Sequence, residues 1–400
     1  MFEHIEKAPA DPILGLTDAY RADARSPKVN LGVGVFMNDK GITPVLECVR
    51  KAERILWELE TSKTYLPIAG TADYAKQVAD LVWGGAHPRL RAGQIAVAQS
   101  LGGTGALRVG FELVRRFRPE AAVWVPAPTW GNHIALLEAV GLQVKTYPWF
   151  NAAAHDIDVE PLCATLESVP ASDVVLLHAC CHNPTGADPD AATWERMARI
   201  AAKAGWMPFF DFAYQGFGEN LVDDRAGMLR VLEQVPEALV ATSFSKNLGL
   251  YAERIGSLHV LAATAESAAA ALSHVRRIIR TLYSNPPKHG AALVKTVLED
   301  TELRALWISE LSAMQRRIAQ NRVSLVEGLA ARIPQADFSY IARQKGMFSY
   351  SGLTPAQVTF LREEKAIYVV QGGRINIAGL LPDAIDYVCD AIAESLRRAP

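Results

Sequence analysis

The chain has no apolar run near the roughly 18 residues that a membrane span needs, so a membrane-spanning helix is not expected. It also lacks an excess of positive charge, with 41 lysines and arginines against 43 aspartates and glutamates. Without a basic surface, neither nucleic acid nor an anionic membrane is an expected partner. Cysteine is scarce: five in 400 residues, at positions 48, 163, 180, 181 and 389. That odd number has no metal-ligand or disulfide-framework spacing and points to reduced, buried thiols. The start, Met1-Phe-Glu-His-Ile-Glu-Lys7, carries acids and has no secretory apolar core, so a cytoplasmic location is the expectation. Internal repeats, low-complexity tracts and flexible linkers are absent as well. What is present is ordinary globular composition, half hydrophobic and 21% charged, in a chain long enough for two domains.

The most informative stretch runs from Leu239 to Arg254. An apolar, β-forming run ends in Ser243, Phe244 and Ser245 and then Lys246, so a buried strand delivers a lysine to its carboxyl end, where α/β sheets keep ligands. Desolvation favours the neutral amine, and a neutral lysine can form a Schiff base with an aldehyde. Ser243, Ser245 and Arg254 suit a phosphate. Aldehyde plus phosphate suggests pyridoxal phosphate; a solvated lysine after a strand is the plainer alternative.

Taken in order, the chain predicts a short helix from about Pro12 to Arg25, then an extended run, Val29 to Phe36. In that run Gly32 and Gly34 allow a bulge or the close approach of a ligand. Apolar spacing gives a helix from Pro44 to Glu60, and proline and glycine then place Tyr65 on a loop. Gln94 to Gln99 reads as a strand leading through Gly102, Gly103, Thr104 and Gly105 into a helix, the arrangement that aims backbone N–H groups at a phosphate. The strand Ala121 to Pro126 leaves Trp130 on a following loop, fit either to cover a flat ring or to pack in the core. Val174 to His178 leads to the turn at Asn183, Pro184 and Gly186. His178 and His182 have no third ligand nearby in sequence, so no metal site is expected.

The strand Trp206 to Phe210 ends in Asp211, an acid that needs a partner if buried. A pyridine N–H and a structural cation are both open to it. Beyond Lys246 come Arg280 beside a turn, a long helix from Glu302 to Glu327 without glycine or proline, and short strands around a helix from Pro355 to Glu364. That last part reads as a smaller α+β domain and contains Gly372-Gly373-Arg374.

Four runs occur together and in order: Cys180-Cys-His-Asn-Pro-Thr-Gly186, Asp211-Phe-Ala-Tyr-Gln-Gly-Phe217, Ser243-Phe-Ser-Lys-Asn-Leu-Gly-Leu-Tyr251 and Gly373-Arg-Ile-Asn-Ile-Ala-Gly379. On them the chain resembles, over essentially its whole length, the class I aminotransferases of the aspartate and aromatic amino acid branch. The resemblance implies a fold-type I α/β architecture. Residues 44–301 would form a large pyridoxal-phosphate domain with a mainly parallel sheet; residues 1–43 and 302–400 would form a small domain that closes over substrate. It implies that Lys246 holds the cofactor as a Schiff base and carries the substrate proton, that Asp211 pairs with the ring nitrogen, and that Trp130 stacks on the ring. Asn183 and Tyr214 would meet the phenolic oxygen. The phosphate would be met by Gly103, Thr104, Ser243, Ser245 and Arg254, with Tyr65 reaching from the partner of a homodimer. Arg374 and the Gly34 backbone would take the α-carboxylate, and Arg280 of the partner subunit the distal one.

Substrate choice is divided. Met37 and Tyr147-Pro-Trp149 look like members that accept aromatic amino acids, whereas Thr104 and Asn285 match aspartate-specific ones. The expectation is a dual enzyme using 2-oxoglutarate as acceptor, with a strict aspartate aminotransferase as the alternative. A β-lyase or decarboxylase on the same scaffold would leave one of the two arginines without purpose, and a ligand sensor would need a fused DNA-binding module for which the ends leave no room.

Overall fold

A run such as Val174-Val-Leu-Leu-His178, apolar at successive positions, suits a strand covered on both faces. In the computed structural model all five residues are buried. The structure describes residues 2–7 and 14–398; the expected helix start at Pro12 lies outside them, and the described helix is Leu14–Ala22. Two compact units divide the chain, residues 44–316 and residues 1–43 with 317–400. The second division falls 16 residues into a single helix, Thr301–Arg332, at whose start the sequence suggested it. An unbroken helix carries no local signal for the point at which its packing partners change.

The larger unit is organised by a seven-stranded sheet: β1 Ile95–Leu101, β2 Ala122–Ala127, β3 Gln143–Pro148, β4 Val174–His178, β5 Met207–Phe212, β6 Ala238–Ser243 and β7 Ile255–Leu261. Their order is β1-β7-β6-β5-β4-β2-β3. The sheet is mixed and not purely parallel, because β7 runs against both of its neighbours. Two strands were not read from the sequence. β3 is an edge strand whose one fully buried residue is Tyr147, and it carries the polar residues Gln143, Lys145 and Thr146, as edges do. β7 is apolar and wholly buried, but it follows so closely on the Lys246 turn that no separate element was assigned.

Direction decides what meets. The strands β2, β4, β5 and β6 are adjacent and parallel, so their carboxyl ends share one edge. β1 runs the same way, and the reversed β7 begins at that edge, which brings Arg254 to it. Helices follow the strands over the sheet: Gly102–Phe117, Gly131–Val140, Val159–Ser168, Ala191–Ala204, Asp223–Gln234 and Ala265–Leu282. Ala191–Ala204 is started by Asp190, whose carboxylate accepts from the Thr193 N–H at 2.7 Å, a cap of about 1 kcal/mol.

In the other unit, Phe348–Tyr350 pairs antiparallel with Arg374–Asn376, and Val29–Asn30 pairs with Ile367–Tyr368. The expected strand to Phe36 stops at Asn30, because the Asn376 amide, and not a neighbouring strand, satisfies the carbonyls of Val33 and Val35. The helix Pro355–Lys365 opens with a capping box, Thr354 with Gln357, and proline in its first turn. A last helix, Ile385–Arg398, was not read from the sequence. Among the described residues no helix is long and apolar enough to cross a membrane, and the five cysteines are buried and form no disulfide.

Candidate active site

Lys246 sits three residues past the end of β6, in a turn held from two sides. The Asn247 amide donates to the Gln215 carbonyl at 3.2 Å, and Trp307 Nε1 donates to the Asn247 carbonyl at 2.7 Å. These contacts leave Lys246 half-buried, with Nζ 4.8 Å from the centre of the Tyr214 ring. Asn183 Nδ2 approaches the Tyr214 hydroxyl at 3.5 Å, so the residues after β4, β5 and β6 converge on one place.

Asp211 belongs to the end of β5 and does not follow the strand; it pairs with His178 of β4 and Ala241 of β6. Burial alone would push its carboxyl up. The hydrogen bond from His133, then the charges of His133, His178 and Lys246, more than offset this and hold it below the ordinary carboxylate value. His133 Nε2 lies 3.0 Å from Asp211 Oδ2, and its Nδ1 lies 2.8 Å from Thr129 Oγ1. An ionised carboxylate only accepts, so Nε2 carries the proton. His178 has no hydrogen-bond partner on either ring nitrogen among the described residues, and burial, then the His133 charge, push it down to about 3.

Sequence reasoning missed His133. It lies 78 residues from Asp211 and looks, in the sequence, like one polar position on a helix. The fold also supplies the third donor that His178 lacked in sequence: His133, His178 and Asp211 offer atoms within 4.8 Å of one another. His182 instead bonds Thr185 at 2.8 Å and stacks on Trp149 at 4.5 Å.

The serines and the glycine turn meet at the other end. Gly102 at φ +66° is in the left-handed region open to glycine, and this lets the helix begin directly after β1. The helix therefore includes Gly103 and Thr104, which the sequence placed in a turn before it. A side chain at Gly102 would come within 2.6 Å of Arg254 Nη2, and one at Gly103 within 3.3 Å of Ser243 Cβ. Arg254 Nη1 donates to Ser245 Oγ at 3.1 Å, and the Ser245 N–H donates to Ser243 Oγ at 3.2 Å. Bare backbone, two hydroxyls, a guanidinium and a helix N-terminus form a cradle for a doubly charged anion.

Trp130 ends the loop after β2, half-buried and edge-on to His133 at 5.2 Å. Tyr65 is 89% exposed, and Arg280 is also exposed, its guanidinium donating to Ser284 Oγ. Among the described residues no hydrogen bond draws either of them into the group around Lys246. Asn285 donates to the Leu66 carbonyl at 3.0 Å. Tyr147 and Trp149 are fully buried. In the unit formed by the chain ends, Arg374 is buried, donates to the Gly32 carbonyl at 2.7 Å and lies over the Phe348 ring at 4.2 Å. A Cβ on Gly34 would come within 2.7 Å of that same ring. Met37 is half-buried there, its N–H on the Ala378 carbonyl.

Comparison with known proteins agrees with this chemistry. Residues 26–392 match the family model of class I and II aminotransferases. The aspartate aminotransferase of Haemophilus influenzae is 46% identical over 99% of this chain and 100% of its own length. The aromatic-amino-acid aminotransferase of Pseudomonas aeruginosa is 44% identical over 98% of each. Among solved structures, the aromatic-amino-acid aminotransferase from Burkholderia pseudomallei, covalently bound to pyridoxal phosphate, superposes with a TM-score of 0.96 at 45% identity, covering 99% of both chains. The chain belongs to the class I and II aminotransferases.

Proposed function

We propose that this aminotransferase moves the amino group of phenylalanine and tyrosine, and of aspartate and glutamate, to a 2-oxo acid such as 2-oxoglutarate, with pyridoxal phosphate held by residues 44–316. The observation that carries the reading is the convergence of a half-buried lysine, Lys246, with Tyr214 and Asn183 at the carboxyl ends of three adjacent parallel strands, one of which carries the buried Asp211 at its end. The residues fit the cofactor. The cradle is bare at Gly102 and Gly103, where a Cβ would crowd Arg254 and Ser243, and its donors suit a phosphate. Relatives of both substrate preferences stand at similar identity, which supports a dual enzyme.

Bound there, pyridoxal phosphate supplies an aldehyde for imine formation and a protonated pyridine ring that takes up the electrons released at the substrate Cα. Lys246 Nζ moves the proton at that Cα. Asp211 keeps the ring nitrogen protonated, and His133, through Oδ2, holds the carboxylate in place. Asn183 and Tyr214 donate to the phenolic oxygen, Trp130 covers the ring, and Ser243, Ser245, Arg254 and the amides of Gly103 and Thr104 take the phosphate. Arg374 takes the α-carboxylate with help from the Gly34 backbone. Each charged hydrogen bond contributes about 1.5–3 kcal/mol.

The exposure of Tyr65 and Arg280 supports a homodimer in which they serve the phosphate and the distal carboxylate of the partner's site. The exposure of Trp57 at 84% and Leu59 at 71% beside that loop supports it too. Five buried cysteines without a disulfide suit a reducing cytoplasm; fractionation that finds the protein in another compartment would overturn that location.

The substrate reading is tested by kcat/KM for aspartate and phenylalanine with 2-oxoglutarate. The two values fall within about 10³ of each other, and a wider gap, about 4 kcal/mol of discrimination, would make this a strict dicarboxylate enzyme. Arg280→Leu lowers the aspartate value about 10²-fold or more and the phenylalanine value less than about 10-fold, because only the dicarboxylate leaves a charge unpaired.

A further inference from the structure

Under the phosphate cradle lies a buried polar chain that the proposed reaction does not use. Trp83 Nε1 donates to His259 Nδ1 at 3.1 Å, His259 Nε2 meets Ser257 Oγ at 2.9 Å, and Ser257 Oγ meets Thr242 Oγ1 at 2.6 Å. An indole N–H can only donate, so Nδ1 is the acceptor and the ring proton sits on Nε2. His259 therefore donates to Ser257, and the Ser257 and Thr242 hydroxyls share a hydrogen bond in which either can be the donor, with the Ser257 carbonyl 3.4 Å from Thr242 Oγ1. His259 is fully buried, and burial holds it at about 3, so the ring stays neutral and keeps accepting from Trp83 and donating to Ser257 at working pH.

Thr242 and Ser257 are cross-strand partners on β6 and β7, and the next pair toward the cradle is Ser243 with Gly256. Three backbones meet at that point. A Cβ on Gly256 would come within 2.3 Å of the Thr242 carbonyl oxygen and 2.6 Å of the Gly102 carbonyl carbon. The Tyr74 hydroxyl holds the Gly256 carbonyl at 2.9 Å. Such a contact has no side chain of its own to set the spacing, so the groups that grip β6 and β7 from beneath must set it.

We propose that Trp83, His259, Ser257 and Thr242, together with Tyr74 on the Gly256 carbonyl, are positioning residues that fix Ser243 and Gly102 at the separation a phosphate dianion requires. The inference rests on the cofactor reading above and adds to it the part of the core that keeps the cradle formed before the cofactor arrives.

The test titrates cofactor-free protein with pyridoxal phosphate, with pyridoxal, which lacks the phosphate, and with inorganic phosphate. His259→Phe fills the space but neither accepts nor donates, and Tyr74→Phe frees the Gly256 carbonyl. In both, affinity for pyridoxal phosphate and for phosphate falls about 10-fold while that for pyridoxal stays within about twofold. His259→Gln, whose amide offers one acceptor and a donor, stays near the wild type. If pyridoxal and pyridoxal phosphate weaken together, or if the melting temperature drops while no affinity changes, the chain is core packing and the proposal fails. Should His259→Phe not fold, Tyr74→Phe and Trp83→Phe carry the same comparison. A wild-type protein that takes up no pyridoxal phosphate would instead defeat the cofactor reading, and the phosphate titration alone would still report on the cradle.

Discussion

At Asp211 two effects oppose each other, and their balance decides what the site can do. Burial favours a neutral acid, whereas His133 and the nearby positive charges favour the carboxylate, and the carboxylate wins. Only an anion keeps a pyridine nitrogen protonated. Asp211→Asn retains shape and a hydrogen bond but not the charge, so the half-reaction with an amino donor slows by about 10³-fold, about 4 kcal/mol, while the cofactor still binds; stopped-flow absorbance measures it, and a loss below about 10-fold would contradict the assigned role. Lys246, Asp211 and the serines were legible in the sequence because each is a polar residue ending an apolar run. His133 was not, because what distinguishes it is a partner 78 residues away.

At the scale of the element, strand ends matter more than strand interiors. Four neighbouring parallel strands place their carboxyl ends on one edge, and the single reversed strand adds Arg254 to the same edge. The buried runs of β1, β2, β4, β5 and β6 announced themselves. The edge strand β3 and the reversed β7 did not, since pairing direction is settled between segments distant in sequence. The same sheet hides neutral histidines: His178 on β4 and His259 on β7 are both held to about 3 by burial. An unfolded histidine takes up its proton near 6.5. Stability is therefore complete above about 6.5 and falls as pH drops toward 3, by up to about 1.4 kcal/mol per pH unit for each such histidine. His259→Gln removes one of them, so between about pH 6 and 5 its stability changes less steeply than the wild type's by up to that amount. Urea midpoints across that range check this, and parallel curves would show that His259 titrates normally in the folded chain.

For the whole molecule, the long helix Thr301–Arg332 runs from one compact unit into the other, and this is where sequence periodicity and domain organisation part company. If Arg280 serves the partner's site, a mixture of Lys246→Ala and Arg280→Leu protomers, each inactive on aspartate alone, recovers up to about a quarter of wild-type activity, because half the dimers are mixed and one of their two sites is intact. No recovery after confirmed exchange of subunits would place Arg280 at its own chain's site or nowhere near one. In the function proposed above, one amine, at position 246, holds the cofactor. Borohydride reduction of the cofactor-loaded protein followed by peptide mapping tests it most directly. The account predicts a pyridoxyl group on Lys246 and on no other lysine, whereas a label elsewhere, or none, would contradict it.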